Sequence, residues 1–127
     1  MNPMNSSASN RPLAEAEART LAALLALDFL GADALRCQMD SARVVGQCPC
    51  GCATVYLEVD RKACPRSPAS RPLPAEANVM DDDGNPIGGV IIFTQAGYLS
   101  SLELYSYDAP IKAFPPLDHL QLYVRDR

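Results

Sequence analysis

From Leu13 onward the apolar positions recur at helical spacing. Leu13, Ala16, Leu21, Leu24 and Leu25 share one side, with Glu15, Glu17 and Arg19 between them, which predicts an amphipathic helix of about four turns. Pro12 stands where such a helix can start, and Gly31 where it can end. A shorter helix follows, capped by Asp33, with Leu35, Met39 and Ala42 on its buried side and Cys37 packed within it. Beyond Arg43 the period drops to two. In Thr54 to Asp60 the residues Val55, Leu57 and Val59 alternate with Thr54, Tyr56, Glu58 and Asp60, the pattern of a strand with one wet face. Val44 and Val45 predict a short strand before it, joined through the CPCGC segment. Ala75 to Met80 and Ile87 to Thr94 read as two strands connected by the turn Asp81-Asp82-Asp83-Gly84-Asn85, a solvated hairpin turn without the spacing or closing Glu of a calcium loop. Gln95-Ala96-Gly97 turns the chain into a strand from Tyr98 to Tyr107, and Leu120 to Val124 forms a last short one.

Two stretches lack either period. Met1 to Asn10, rich in Asn and Ser, reads as a disordered tail, which leaves residues 11–127 as a single domain. Arg61 to Pro74 holds Pro65, Pro68, Pro72 and Pro74 among basic residues and reads as an extended, mobile loop. Helices followed by strands imply an α+β fold, two N-terminal helices on one face of an antiparallel sheet of about five strands.

Composition narrows the function classes. A chain of 127 residues with 48% hydrophobic residues builds one core and has no room for a second. A net charge of −4 and a pI near 4.8 argue against nucleic acid as a standing partner and favour a basic or neutral protein partner. The N-terminal stretch has no signal-peptide character, and Leu21 to Leu27 is far shorter than the roughly 18 residues a membrane span needs, so a cytoplasmic location with no membrane contact is expected. Five cysteines in such a chain do not read as a disulfide framework.

The cysteines nevertheless form a pattern. Cys48, Cys50 and Cys52 are separated by single residues and Cys64 follows after eleven more, the stoichiometry of a four-thiolate zinc site. The spacing departs from the two to four residues usual between paired zinc cysteines, and in extended backbone alternate side chains point to opposite faces. The preferred reading is a tight turn whose cysteines act as small apolar side chains with no cofactor; zinc on Cys48, Cys50, Cys52 and Cys64 is the alternative. A thiol-dependent enzyme would require His119, the single histidine, to approach one of these thiols. No phosphate-binding loop, dinucleotide fingerprint or serine nucleophile motif accompanies them, so no catalytic residue is assigned.

The helix pair, the run Arg43-Val44-Val45-Gly46-Gln47-Cys48-Pro49-Cys50-Gly51-Cys52 and the run Gly97-Tyr98-Leu99-Ser100-Ser101-Leu102-Glu103-Leu104-Tyr105 together resemble small uncharacterised domains of high-GC bacteria over roughly residues 20–118. In general character the chain is also similar to acidic toxin-immunity proteins, which implies action by binding rather than catalysis.

Strand alternation then selects a surface. With Val55, Leu57, Leu102, Leu104, Leu120, Leu122 and Val124 inward, the residues Tyr56, Glu58, Ser101, Glu103, Tyr105, Tyr107, His119, Gln121 and Tyr123 share the outer face with Thr54 and Asp60. Tyrosines beside carboxylates suit recognition of a basic protein. Tyr56, Glu58, Glu103, Tyr105 and Tyr107 are the expected partner-binding residues of a non-catalytic protein-binding module.

Overall fold

The computed structural model describes residues 10–125, so the expected tail lies, apart from Asn10, outside the described residues. The fold is α+β, with two helices and an open antiparallel sheet of seven strands. In chain order the elements are β1 (Arg11–Pro12), α1 (Glu15–Leu25), α2 (Ala32–Met39), β2 (Arg43–Gln47), β3 (Val55–Glu58), β4 (Ala75–Met80), β5 (Pro86–Gln95), β6 (Tyr98–Ser106), a 3₁₀ turn (Leu117–His119) and β7 (Leu120–Val124). The spatial order is β1-β2-β3-β6-β5-β4-β7. The sheet is larger than expected because the short runs at Arg43–Gln47 and Leu120–Val124 are both full members and because Arg11 and Pro12 add a strand too short to carry any alternation.

That first strand also moves the helix start. Arg11 and Pro12 pair with Val44 and Arg43, and Ala14 is still extended, so α1 begins at Glu15 and has three turns rather than four. Alanine offers no capping oxygen. Glu17 substitutes: its carboxylate accepts the backbone N–H of Ala14 at 2.8 Å and takes both guanidinium nitrogens of Arg11 at 2.9 and 3.0 Å. Burial pushes the Glu17 pKa up, but the hydrogen bonds from Arg11 and Ala14 outweigh it and leave the carboxyl below the ordinary glutamate value. At its other end α1 stops at Leu25, well before Gly31. Arg36 of α2 reaches back to the carbonyls of Leu25 and Leu27 at 2.6 and 3.0 Å, satisfying acceptors that the helix end leaves open. Gly31, with φ +89°, is instead the residue that opens α2, and a Cβ there would lie 2.4 Å from the Ser67 hydroxyl.

Leu21, Leu24, Leu25 and Leu35 from the helices pack with Val55, Leu57, Val90, Ile92, Leu102 and Leu104, which share one face of the sheet. The buried side of α2 runs through Leu35 and Gln38; Met39 and Ala42 are only half-buried. Gln38 is fully buried, and its amide makes three hydrogen bonds: Nε2 donates to the carbonyls of Pro65 and Gly97 at 2.9 and 3.0 Å, and Oε1 accepts the N–H of Leu99 at 2.9 Å.

The loop Arg61 to Pro74 has no regular structure, as expected, but it is tied down rather than loose. Ser67 donates its N–H to Gly97 and its hydroxyl to Gly31, both at 2.8 Å; Leu73 is fully buried and donates its N–H to Ile92 at 3.0 Å. Cys64 forms a disulfide with Cys37. The reading of Cys37 as a simple packing residue is therefore corrected, and so is the reading of the cysteines as uniformly reduced: α2 and the loop bring these two residues face to face, with Cα atoms 5.9 Å apart.

Two outcomes follow from these attachments. Gln38→Leu keeps the volume but strands the Pro65 carbonyl and the Leu99 N–H, and is expected to cost about 3 kcal/mol, read as a fall in Tm of roughly 10 °C or more in a thermal melt. A neutral effect would mean that these backbone groups find other partners. Because the folded Glu17 pKa is lowered, the stability it adds is present above the ordinary glutamate range and lost as pH falls through the folded value. Glu17→Gln should therefore be less stable than the parent by about 1 kcal/mol at neutral pH, with the gap closing in acid; a gap that stayed constant with pH would remove the charge from the explanation.

Candidate tyrosine face and cysteine turn

Register places the outer residues in rows across the sheet. Phe93, Ser101, Tyr56 and Gly46 are successive partners across β5, β6, β3 and β2. Tyr123, Glu76, Ile91 and Glu103 form the next row, across β7, β4, β5 and β6, and Gln121, Asn78, Gly89 and Tyr105 the one after it. Tyr56, Glu103, Tyr105 and Tyr123 thus share one face, as alternation predicts. Glu58 follows on the Tyr56 side and is exposed. Tyr107 lies just past β6, more exposed than any other tyrosine, its ring centroid 5.9 Å from that of Tyr105.

Glycine lets the rings lie down on the sheet. A Cβ at Gly89 would meet the Tyr105 ring, 2.5 Å from Cζ, and one at Gly46 would come within 3.2 Å of the Tyr56 ring. Each tyrosine therefore covers the backbone of a glycine directly across the ladder. The Tyr123 hydroxyl donates to Glu76 at 2.7 Å, and this bond is the main reason its pKa is pushed up to about 12. Glu76 also receives the Arg125 guanidinium at 2.6 Å. Burial is the chief cause that raises the Tyr56 and Tyr105 pKa values as well, so all three phenols are neutral at physiological pH. Among the described residues, Glu58 and Glu103 have no ion-pair partner; Glu103 accepts only the Ser101 hydroxyl, at 2.9 Å.

Two expected outer residues behave differently. Ser101 has the outer register but is buried. Thr54 is buried as well, because it has left the strand: its hydroxyl accepts the N–H of Leu104 at 2.9 Å and so prolongs the β3–β6 pairing by one step with a side chain.

The segment from Cys48 to Ala53 turns β2 into β3. The N–H of Cys48 bonds to Thr54 at 3.2 Å, the N–H of Gly51 to Cys48 at 3.3 Å, and the N–H of Ala53 to Ile111 at 3.1 Å. Gly51 has φ +93°. The backbone is therefore curled, not extended, and the one-residue spacing no longer sends alternate side chains apart: the sulfurs of Cys48, Cys50 and Cys52 all lie within 4.8 Å of one another, with Cys48 and Cys50 3.0 Å apart. Burial opposes ionisation of Cys52, but hydrogen bonds from the Thr54 hydroxyl and from Cys50 prevail and lower its pKa to about 7. Cys50 is raised to about 11, chiefly by its hydrogen bonds to Cys48 and Cys52.

Cys64 is not part of this group. β3 is extended and carries the chain away from the turn, and Cys64 is bonded to Cys37 beyond its far end, so the four-cysteine zinc arrangement is corrected to three free thiols. His119 is also apart from them. Its Nε2 lies 3.1 Å from Asp82 at the β4–β5 turn, and β7 stands four strands from β3, roughly 19 Å at ordinary strand spacing. A cysteine–histidine pair is not assembled. Asp81 accepts the N–H groups of Asp83 and Asn85 at 3.0 and 2.8 Å, so the acidic run serves its own turn.

Compared with protein-family models, curated proteins and solved structures, the chain matches none. No helix among the described residues is long and apolar enough to cross a membrane.

Sequence reasoning missed the Cys37–Cys64 bond, because the two residues are 27 positions apart and no spacing pattern in the sequence links them. Alkylation of the unfolded, unreduced chain should add three adducts by mass, and five only after reduction. Five adducts without reduction would place Cys37 and Cys64 in the thiol form.

Proposed function

We propose that this protein is a non-catalytic binding module that recognises a basic protein through the outer face of its sheet, in the manner of the acidic immunity-type proteins of bacteria. The observation that carries this reading is the pairing of uncovered tyrosines with free carboxylates: Tyr56, Tyr105 and Tyr107 are exposed beside Glu58 and Glu103, which have no cation of their own among the described residues. Rigid aromatic rings supply contact area at little entropic cost, and unpaired carboxylates supply complementarity to Lys and Arg. The distance of His119 from the thiols supports action by binding rather than catalysis. Cytoplasmic residence is part of the same reading; in a reducing compartment, the bond of Gln38 to the Pro65 carbonyl would still hold α2 to the loop that Cys64 anchors.

Tyr105→Ala is a poor probe of this face, since it uncovers Gly89 as well as removing a contact. Glu58→Lys combined with Glu103→Gln leaves the rings in place. This variant is expected to melt within a few degrees of the parent, as surface changes usually do, and to lose at least tenfold in affinity for a partner captured from cell extract by the parent at low salt. Equal capture by both proteins, or capture insensitive to salt, would reject the face.

A further inference from the structure

The cysteine turn carries an inference independent of the tyrosine face. We infer that Cys48, Cys50 and Cys52 form a three-thiolate site for a thiophilic d¹⁰ metal ion, zinc foremost, with the fourth tetrahedral position left to a ligand from outside the chain.

The donor set is the first support. Each residue offers one sulfur, the three lie within 4.8 Å of one another, and no carboxylate or imidazole belongs to the group. Sulfur donors select zinc or copper(I) over calcium and magnesium, which take oxygen. Three thiolates on one tetrahedral ion with metal–sulfur bonds of about 2.3 Å stand roughly 3.8 Å apart, between the 3.0 Å of Cys48 to Cys50 and the 4.8 Å limit of the group. A movement of less than 1 Å per sulfur, on the order of a rotamer adjustment, closes the site.

The second support is that backbone hydrogen bonds hold the turn in this geometry. The hydrogen bonds of Cys48 to Thr54, of Gly51 to Cys48 and of Ala53 to Ile111 fix the curl. Cys52 also gives its N–H to the Cys50 sulfur at 3.4 Å, the outer-shell bond that typically orients a metal-bound thiolate. Three thiolates around a divalent ion leave one negative charge in excess, and Lys112 lines the same cleft as Cys48 and Cys52.

The third support is the fate of the remaining cysteines. Cys64, which would complete a closed four-thiolate site, is committed to Cys37. What remains is an open site, the arrangement that zinc adopts where an exchangeable ligand takes the fourth position. On binding, each coordinating thiol releases its proton to solvent and no electron is transferred.

The test uses the full chain with Cys37–Cys64 oxidised and three thiols verified by alkylation. Zinc is titrated against a chromophoric chelator, and cobalt(II) is used as a spectroscopic stand-in. One zinc per chain is expected, with cobalt giving thiolate charge-transfer absorption and the visible bands of tetrahedral coordination. Zinc should protect three thiols from alkylation, and excess calcium or magnesium should not displace it. Cys50→Ser, at an exposed position where folding is checked by circular dichroism, should weaken zinc binding at least tenfold. Cys37→Ala with Cys64→Ala should leave both stoichiometry and affinity unchanged. No zinc uptake, uptake unaffected by Cys50→Ser, or uptake lost in the Cys37→Ala and Cys64→Ala variant would each overturn the site.

Discussion

The side-chain amide of Gln38 joins three parts of the molecule that lie far from it along the chain. It is fully buried, and its three hydrogen bonds reach the loop after β3 at Pro65, the β5–β6 turn at Gly97 and the start of β6 at Leu99. A buried amide without partners would be costly, so α2 can dock only where all three are presented together. That requirement positions the helix layer on the sheet, and the irregular loop is held between them. Ser67, Leu73 and Cys64 add their own attachments to the same segment, so a stretch rich in proline and arginine behaves as part of the core wall rather than as a tether.

The opposite face follows another rule. With both helices on the inner side, the outer side relies on its own side chains for cover, and the glycines at positions 46 and 89 allow tyrosine rings to lie flat over the backbone. The aromatic content of this face is therefore partly structural. What the packing does not use is the charge of Glu58 and Glu103, and the proposed recognition of a basic partner rests on that charge.

The strands were largely legible because alternation is a local signal: Ala75–Met80 and Leu120–Val124 have the expected bounds, and the inward placement of Val55, Leu57, Leu102 and Leu104 follows from period two alone. The features that escaped depend on partners distant in sequence. Arg11 and Pro12 become a strand only because Val44 and Arg43 are there to pair. Arg36 serves as the cap of α1 and Gln38 as a core residue only in the presence of carbonyls that no periodicity reveals. The cysteine cluster was visible as composition, but its convergence depended on the left-handed backbone at Gly51, and an extended reading of the same residues sends the thiols apart.

The antiparallel order also divides the sheet into two locally wound pieces. β2 and β3 form one hairpin, β4, β5 and β6 form a meander, and the two meet only where Val55 and Tyr56 pair with Leu102 and Ser101, extended by the Thr54 hydroxyl. Each piece closes through short loops, whereas their junction requires a long one, so entropy places the junction late in folding. It is a short seam, and the aromatic face straddles it: Tyr56 lies on one side and Glu103 on the other. The aromatic face is therefore built from both pieces and is complete only when this narrow suture has closed.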